Sequence, residues 1–187
     1  MARLAALAIV VLWWTQEDTG ARVKQTAYAR GPRASAIAAD TLVRNAVAGS
    51  NAVRETPEQV RRRDAFWIAN RRDPLRQAIV QAPCSARLRE LVKDDPMVVE
   101  AFVMNERGTL VCSVAETSDY WQGDEPKWQR TFVDGVDPFV DEAAFDASTG
   151  KYAIQISVPM VSGGKRIGAV TLTLKLKRQE AGAPPKD

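Results

Sequence analysis

Apolar and polar positions alternate most clearly in the second half of the chain, where they predict β-strands. From residue 152 to residue 158, bulky apolar side chains occupy every second position, so this strand has one apolar face and one polar face. Residues 167–176 repeat the alternation after a turn that contains Gly163 and Gly164. Two such strands joined by a short glycine turn predict a β-hairpin. Its more polar face carries Ala153, Gln155, Ser157, Thr171, Thr173 and Lys175.

Three further β-rich runs precede this hairpin. Residues 98–104 are apolar except for Glu100, and residues 109–115 form a second run after a turn at residues 105–108. Residues 139–145 provide a third predicted strand. We therefore predict five strands joined mostly by short turns, a pattern that is typical of an antiparallel sheet.

The first half of the chain has helical periodicity instead. Residues 36–47 place small apolar side chains near helical spacing and predict a weakly amphipathic helix that ends at Gly49. Thr56 is expected to begin another helix, with a capping box that Gln59 completes. Ser85 has the position of an N-cap for a later helix. Helices followed by strands predict the α+β class, with N-terminal helices and a five-stranded antiparallel sheet.

Residues 1–21 have the pattern of a secretory signal. An apolar run from Leu4 to Trp14 follows a single positive charge and is short for a helix that spans a bilayer. Small side chains at residues 19–21 would suit a cleavage site. We therefore predict export to the periplasm or secretion. A retained anchor and a core helix of a cytoplasmic protein remain as alternatives.

The composition argues against several classes of function. The chain of 187 residues contains no histidine, which removes histidine-dependent triads and most catalytic zinc sites. It also lacks the glycine-rich motifs that bind nucleotides. We expect neither an enzyme nor a bound cofactor or metal.

Charge is divided unevenly along the chain. Residues 22–93 carry 15 Lys or Arg against 6 Asp or Glu, whereas residues 94–187 carry 10 against 15. A basic half could bind nucleic acid or anionic lipid. The arginines have helical spacing and no interleaved aromatic side chains, which favours basic helices balanced by an acidic sheet and no nucleic-acid partner.

The segment SDYWQGDEPKW, residues 118–128, concentrates aromatic rings among carboxylates. Such side chains suit a pocket for a cation or a small polar ligand. The alternative is an aromatic plug that closes a sheet edge, with the acidic side chains simply solvated. For the pocket we predict a wall formed by the rings of Tyr120, Trp121 and Trp128. Asp119, Asp124 and Asp146 would supply hydrogen-bond acceptors. Gln155 and Ser157 would line the floor, and Gln122 would lie near the ligand.

The chain has two cysteines, Cys84 and Cys112. An exported protein can form a disulfide between them. The β-branched surroundings of Cys112 favour a small core residue instead, and the sequence does not show whether the two residues come within bonding distance.

The order of these elements resembles the extracytoplasmic PAS-like sensor domains called Cache or PDC domains. The resemblance covers residues 56–176 and includes SDYWQGDEPKW and the final hairpin, FDASTGKYAIQISVPMVSGGKRIGAVTLTL. It implies a PAS-like sheet with a pocket on one face, under the loop that follows the second strand. It also implies small ligands such as amino acids, carboxylates or amines, and a signalling partner.

We therefore expect a stand-alone sensor module that relays ligand occupancy to a membrane or periplasmic partner. Its parts would be a signal peptide (residues 1–21), a helical extension (22–55) that could form a homodimer, the sensor domain (56–176) and a polar tail (177–187). The alternative is a structural or protein-interaction module whose pocket is filled.

Overall fold

An antiparallel sheet forms the middle layer of the molecule. The computed structural model describes residues 20–146 and 151–177. Residues 1–19 of the predicted signal segment, residues 147–150 of the turn before the final hairpin, and residues 178–187 of the tail lie outside the described residues. Its strands are β1 Val98–Asn105, β2 Leu110–Ser113, β3 Phe139–Val140, β4 Ala144–Asp146, β5 Lys151–Ser162 and β6 Lys165–Leu176. They pair in the order β2-β1-β6-β5-β3, and β4 also pairs with β5.

The predicted hairpin is confirmed with its two faces. Ser157 pairs with Thr171 and Gln155 with Thr173, so polar positions of β5 and β6 lie side by side. The adjoining β1 places Phe102 opposite Thr171 on this same face, which we call the loop face. The other face, the helix face, carries apolar side chains such as Ile156 that are fully buried. The alternation in the sequence therefore assigns these residues to the two faces of the sheet correctly.

Short helices cover the helix face of the sheet. The prediction of a single helix over residues 36–47 that ends at Gly49 is wrong, because the chain is divided at Asp40 into two helices. The first has Pro32 in its first turn, and the second is capped by the Asp40 carboxylate through the amides of Leu42 and Val43 and continues to Ala52. Fully buried Ile37 and Val47 join the sheet in the main core. The bounds are residues 20–28 for α1, Gly31–Ala39 for α2 and Thr41–Ala52 for α3.

Three further helices lead to the sheet. The Thr56 capping box is confirmed: its side chain accepts from the Gln59 amide, and the Gln59 side chain accepts from the Thr56 amide. The prediction that Ser85 is an N-cap is wrong, because Pro83 starts that helix two residues earlier. Ser85 Oγ instead donates to Ile79 O at 2.6 Å and accepts from the Ser113 amide at 2.8 Å. The bounds are α4 Pro57–Ala69, α5 Pro74–Gln81 and α6 Pro83–Val92.

The region between β2 and β5 is more broken than the sequence suggested. A short helix is present at residues 126–128 and continues as one π-helical turn through Val133. The third predicted strand is divided into β3 and β4, both of which pair with β5. Residues 141–143 interrupt it, and two of them, Asp141 and Glu142, line a cavity described below.

The two cysteines form a disulfide, so the sequence-based preference for an unpaired Cys112 is wrong. Cys84 and Cys112 are joined with their Cα atoms 5.7 Å apart, which ties α6 to β2. A β-branched run and a disulfide are compatible here because β2 is the edge strand of the sheet and α6 packs beside it. In the described ranges, none of the helices has the length and apolar character needed to cross a membrane.

Candidate functional site

The loop after β2 crosses the loop face of the sheet and is fixed by backbone pairing. The amide of Leu110 donates to Tyr120 O at 3.0 Å, and that of Gln122 donates to Gly108 O at 2.8 Å. Gly108 has φ of 78°, and a Cβ there would lie 2.4 Å from the Cα of Gly123. The loop, residues 114–125, therefore approaches the β1–β2 turn at a distance that glycine permits. We call it the aromatic loop.

The three aromatic residues of the predicted pocket wall pack inward or against the edge of the sheet. Tyr120 is buried, with its ring 5.8 Å from the ring of Trp67. Trp121 Nε1 donates to Arg107 O at 2.8 Å. Trp128 Nε1 donates to Asn105 O at 3.2 Å, and its ring stacks on Phe132. These rings anchor the loop and are not among the side chains that line the cavity beside it.

The cavity lies between the aromatic loop and the loop face of the sheet, and has a volume of about 300 Å³. Three of the predicted ligand-binding residues line it: Asp119, Gln122 and Gln155. The others are Glu100, Phe102, Thr117, Ser118, Glu125, Lys127, Asp141, Glu142, Ala144 and Ala153. A cavity therefore occurs under the loop that follows the second strand, where the resemblance implied one.

Two of the remaining predicted site residues, Ser157 and Asp124, do not line this cavity. Ser157 is fully buried, with its hydroxyl 2.8 Å from that of Thr171. Asp124 is exposed on the outside of the aromatic loop. Asp146 ends β4, and its side chain lies outside the described residues. The structure thus brings together only part of the set predicted from sequence.

Acidic side chains dominate the cavity. Glu100, Asp119, Glu125, Asp141 and Glu142 contribute five carboxylates, and the one basic residue in the lining is Lys127. Lys127 is a buried cation whose Nζ donates to Glu125 Oε2 at 2.5 Å and lies 5.6 Å from the centre of the Phe102 ring. The lining therefore has a large excess of negative charge, which favours cations.

Sequence reasoning missed most of these charged residues. Glu125 and Lys127 lie in the segment that was singled out, but a lysine near carboxylates on a loop is usually solvated. Glu142 and Asp141 lie in the middle of what was predicted to be one strand. A run of two acids within an otherwise apolar strand was the signal that could have marked an interruption beside a site.

No metal site was found among the described residues. Over residues 20–146 and 151–177, no three Cys, Asp or Glu side chains are arranged to hold a metal ion. The five carboxylates of the cavity therefore do not form such a group.

Asp64 on α4 connects that helix to the aromatic loop. Its Oδ1 accepts hydrogen bonds from the amides of Tyr120 and Trp121, each at 2.9 Å. Burial raises the pKa of Asp64, and the nearby Asp119 and Asp124 add to the rise, while the two amide hydrogen bonds oppose it. The carboxylate thus bonds two consecutive loop amides despite the cost of its partial burial.

We expect Asp64→Asn to change how stability depends on pH. In the wild type, the folded state holds the Asp64 proton more tightly than the unfolded state does, so stability falls as the pH rises from the ordinary carboxyl range through the raised pKa. Asparagine keeps an oxygen acceptor but does not ionise. The free energy of unfolding of the variant, relative to wild type, should therefore increase through this window by about 0.5 kcal/mol or less.

Urea unfolding of both proteins at a series of pH values measures this difference. Burial is the largest single influence on Asp40 and Asp95 and acts to raise their pKa values, but the hydrogen bonds and charges of Arg87 and Arg30 together with backbone hydrogen bonds outweigh it, so both pKa values are lowered. Both proteins share these groups, so their contribution cancels. Asp94→Asn, at an exposed position, is the control. A difference between Asp64→Asn and wild type that stays constant with pH would contradict the raised pKa.

Comparison with known proteins identifies the fold. No protein-family model matches the chain, and no curated protein matches it. Among solved structures, the ligand-binding domain of the Campylobacter jejuni chemoreceptor Tlp3 in complex with 4-methylisoleucine is 14% identical, with a TM-score of 0.52 over 85% of this chain and 55% of that one. The same sensory domain with isoleucine bound is 16% identical, with a TM-score of 0.52 over 90% and 60%.

A histidine kinase gives a similar match. The sensor domain of the Vibrio cholerae kinase DctB is 11% identical, with a TM-score of 0.52 over 97% of this chain and 61% of that one. This chain therefore spans between about half and two thirds of the length of these domains. The predicted Cache or PDC resemblance is confirmed at the level of the fold.

Proposed function

We propose that this chain is an extracytoplasmic sensing module that binds a small, positively charged organic molecule in the cavity under the aromatic loop. The observation that carries the proposal is the cavity itself: five carboxylates and one buried lysine line a space between the aromatic loop and the sheet. The structural neighbours are sensory domains, in agreement with a sensing role without catalysis.

Charge supports the choice of a cation. Lys127 pairs with Glu125, and Lys24 forms an ion pair with Glu142 from outside the cavity. Asp119 and Asp141 take part in neither of these bridges. An incoming ammonium group would gain from their carboxylates in a region partly shielded from water, where such attraction is stronger than in bulk solvent. Lys127 would then interact with an acceptor group on the same ligand.

Size limits the ligand further. A volume of about 300 Å³ is at the lower end of the range for pockets that bind small molecules. The ligand is therefore of the size of an amine or an amino acid rather than a nucleotide or a peptide. The polar side chains Gln122 and Gln155 would fix its orientation.

Two observations support a location outside the cytoplasm. The Cys84–Cys112 disulfide is of a kind that persists in oxidising compartments and is rare in cytosolic proteins. The pattern of residues 1–21 predicts export. We propose a periplasmic or secreted domain on these grounds.

Relay to a partner would begin at the aromatic loop. Asp119 and Gln122 belong both to the cavity wall and to the loop that Asp64 holds. A ligand that prefers one arrangement of this loop would shift its population and with it the contact to α4. Ligand occupancy would thus reach the surface of the molecule.

A second candidate function is a protein-interaction module that binds no small ligand. The observation in its favour is that Tyr120 and Trp128 pack in a hydrophobic cluster and do not line the cavity. The filled pocket that this function implies is not what the described residues form, since about 300 Å³ stays open beside the rings. The geometry therefore favours the sensor.

Thermal unfolding with a panel of small molecules tests the proposal. We expect amines and basic amino acids to raise Tm, and dicarboxylates to leave it unchanged; saturation at 100 times Kd adds about 2.7 kcal/mol to stability. Asp119→Asn should weaken the binding of any amine that raises Tm about tenfold, because a charge-assisted hydrogen bond in the cavity becomes a neutral one.

The matched control is Asp94→Asn, which removes the same charge at an exposed position away from the cavity. No Tm shift with any member of the panel would argue strongly against ligand binding. An equal loss of affinity in the Asp119 and Asp94 variants would show that net charge, rather than the cavity, attracts the ligand.

A further inference from the structure

Lys127 is a cation that the chain itself places at the cavity. It is one of the lining residues, and its side chain is only 7% exposed. Its Nζ donates to Glu125 Oε2 at 2.5 Å and lies 5.6 Å from the centre of the Phe102 ring. A carboxylate and the face of an aromatic ring both attract an ammonium group. Glu125 and Phe102 therefore form a subsite for an ammonium group, which the ammonium of Lys127 fills. We call it the filled subsite.

The filled subsite opens to the same space that a ligand would enter. Phe102 lies on β1 and belongs to the loop face, and Glu125 is the last residue of the aromatic loop. Both residues line the cavity together with Lys127. Glu125 also keeps 37% of its side chain exposed. A different ammonium group could therefore reach the ring and the carboxylate if that of Lys127 were removed.

Asp119 and Asp141 offer a second place for a cation in the same cavity. Both line it, and within residues 20–146 and 151–177 neither forms an ion pair with a lysine or an arginine. Asp119 accepts a hydrogen bond from Ser118 Oγ at 2.9 Å, and Asp141 accepts one from the amide of Glu142 at 2.8 Å. These donors are neutral and do not offset the negative charge of the two carboxylates. The cavity thus has one cation position that the chain fills and another that is left to a ligand.

The ammonium of Lys127 attracts acceptors and repels cations. The cavity has a volume of only about 300 Å³, so a ligand whose ammonium group binds Asp119 or Asp141 brings its other end close to Lys127. An oxygen at that end can accept a hydrogen bond from Nζ. A second ammonium group would face a like charge in a region partly shielded from water, where repulsion is stronger than in bulk solvent. It could replace Lys127 at Glu125 only by leaving a buried cation without its partner, which is costly.

We propose that Lys127 sets the specificity of the cavity by filling its second cation subsite with an ammonium group of the chain. Ligands that have an ammonium group at one end and an oxygen acceptor at the other, such as amino alcohols, are admitted, and simple diamines are excluded. Specificity here comes from a repulsive group as much as from an attractive one. This inference rests on the proposed sensing function and names the class of amine that the site selects.

Isothermal titration calorimetry with matched pairs of ligands tests the inference. The two members of a pair have the same carbon chain and differ in one end group, from aminoethanol and diaminoethane to aminopentanol and diaminopentane. For the wild type, we expect the amino alcohol that binds most tightly to have an affinity at least about tenfold higher than that of the diamine of equal length. This preference is measured without any variant, so it does not depend on whether a variant folds.

Lys127→Met should reverse the preference. Methionine keeps an apolar stem but ends before the position of Nζ and carries no charge, so it vacates the filled subsite. A diamine can then place its second ammonium group between Glu125 and Phe102, and its affinity should rise at least about tenfold relative to that of the amino alcohol. Lys127→Met combined with Glu125→Gln should lose this gain, because the carboxylate of the subsite is gone.

The matched control is Lys93→Met. Lys93 Nζ donates to Glu90 Oε2 at 2.8 Å, so the substitution breaks the same kind of ion pair at an exposed position that does not line the cavity. The ratio of the two affinities should stay at its wild-type value. Circular dichroism and Tm establish that each variant is folded.

The outcomes separate this inference from the sensing proposal. A wild type that binds no amine refutes the sensing proposal and, with it, this inference. A wild type that binds amines but prefers the amino alcohol of no pair, or a ratio that Lys127→Met leaves unchanged, overturns only the role of Lys127. A gain in diamine affinity that Lys93→Met reproduces, or that persists without the Glu125 carboxylate, also overturns it, since net charge rather than the filled subsite would then be the cause.

Discussion

Trp67→Ala is expected to lower the free energy of unfolding by about 3–5 kcal/mol, the range for deleting a large aromatic side chain from a core. Trp67 is completely buried, and its indole nitrogen bonds to the backbone of the aromatic loop at Thr117. Its ring lies 4.3 Å from the guanidinium carbon of Arg76 and 5.8 Å from the ring of Tyr120. The substitution would leave a cavity between α4, α5 and the loop.

Phe66→Ala is the matched control, because it removes an aromatic side chain from the adjacent position of the same helix. Phe66 is half exposed, so its loss should change the free energy of unfolding by about 0.5 kcal/mol or less. Urea unfolding followed by circular dichroism measures both variants, and Trp67→Phe retains a ring if the alanine variant is too unstable to purify. Equal effects of Trp67→Ala and Phe66→Ala would show that α4 is not anchored as described.

Removal of the disulfide is the second large effect. Cys84 and Cys112 close a loop with a sequence separation of 28 residues, for which the chain-entropy relation gives about 3.5 kcal/mol of stabilisation. Cys84→Ala with Cys112→Ala should lose about this amount. In this relation the loss arises because the unfolded chain, without the cross-link between β2 and α6, has more conformational entropy.

Comparison of urea midpoints for the oxidised protein, the reduced protein and the double alanine variant measures the contribution of the bond. The reduced protein and the variant should agree closely, since both lack the cross-link and keep small side chains at these buried positions. If the reductant leaves the wild-type midpoint unchanged in a protein whose thiols are shown to be free, the bond does not stabilise the fold.

Local patterns in the sequence predicted much of the fold. The alternation from residue 152 to 158 places Gln155 and Ser157 on one face, and the register with Thr173 and Thr171 agrees. The capping box at Thr56 also formed as expected, because it depends only on residues three apart. Such features are predictable since a strand or a helix end is specified by its own neighbours.

The orientation of side chains on the aromatic loop was not predictable in the same way. The cluster of rings and acids marked the loop correctly, but the direction of Tyr120 depends on Trp67, more than fifty residues earlier. The loop is also held by Asp64, an acid on a helix that looked like a solvated surface from its arginines. Lys127 is buried because Phe102 and Glu125 surround it, and no local pattern records that.

The pairing of Cys84 with Cys112 failed for a related reason. Each cysteine was judged by its own surroundings, whereas the bond depends on α6 packing beside β2. Residues 139–145 likewise have the apolar character of one strand. Only the three-dimensional placement of Asp141 and Glu142 beside the cavity shows why pairing with β5 is interrupted between β3 and β4.

The position of β6 has a consequence for how the protein is made. This strand comes last among the described strands, yet it lies in the middle of the sheet, between β1 and β5. During synthesis, β1 emerges long before β6. The edge of β1 that pairs with β6, and the apolar residues of β1, therefore remain without that partner until β6 has been made. The pairing of β1 with β6 joins segments distant in sequence, which slows folding of the sheet and leaves the apolar residues of β1 exposed until Leu176 has emerged.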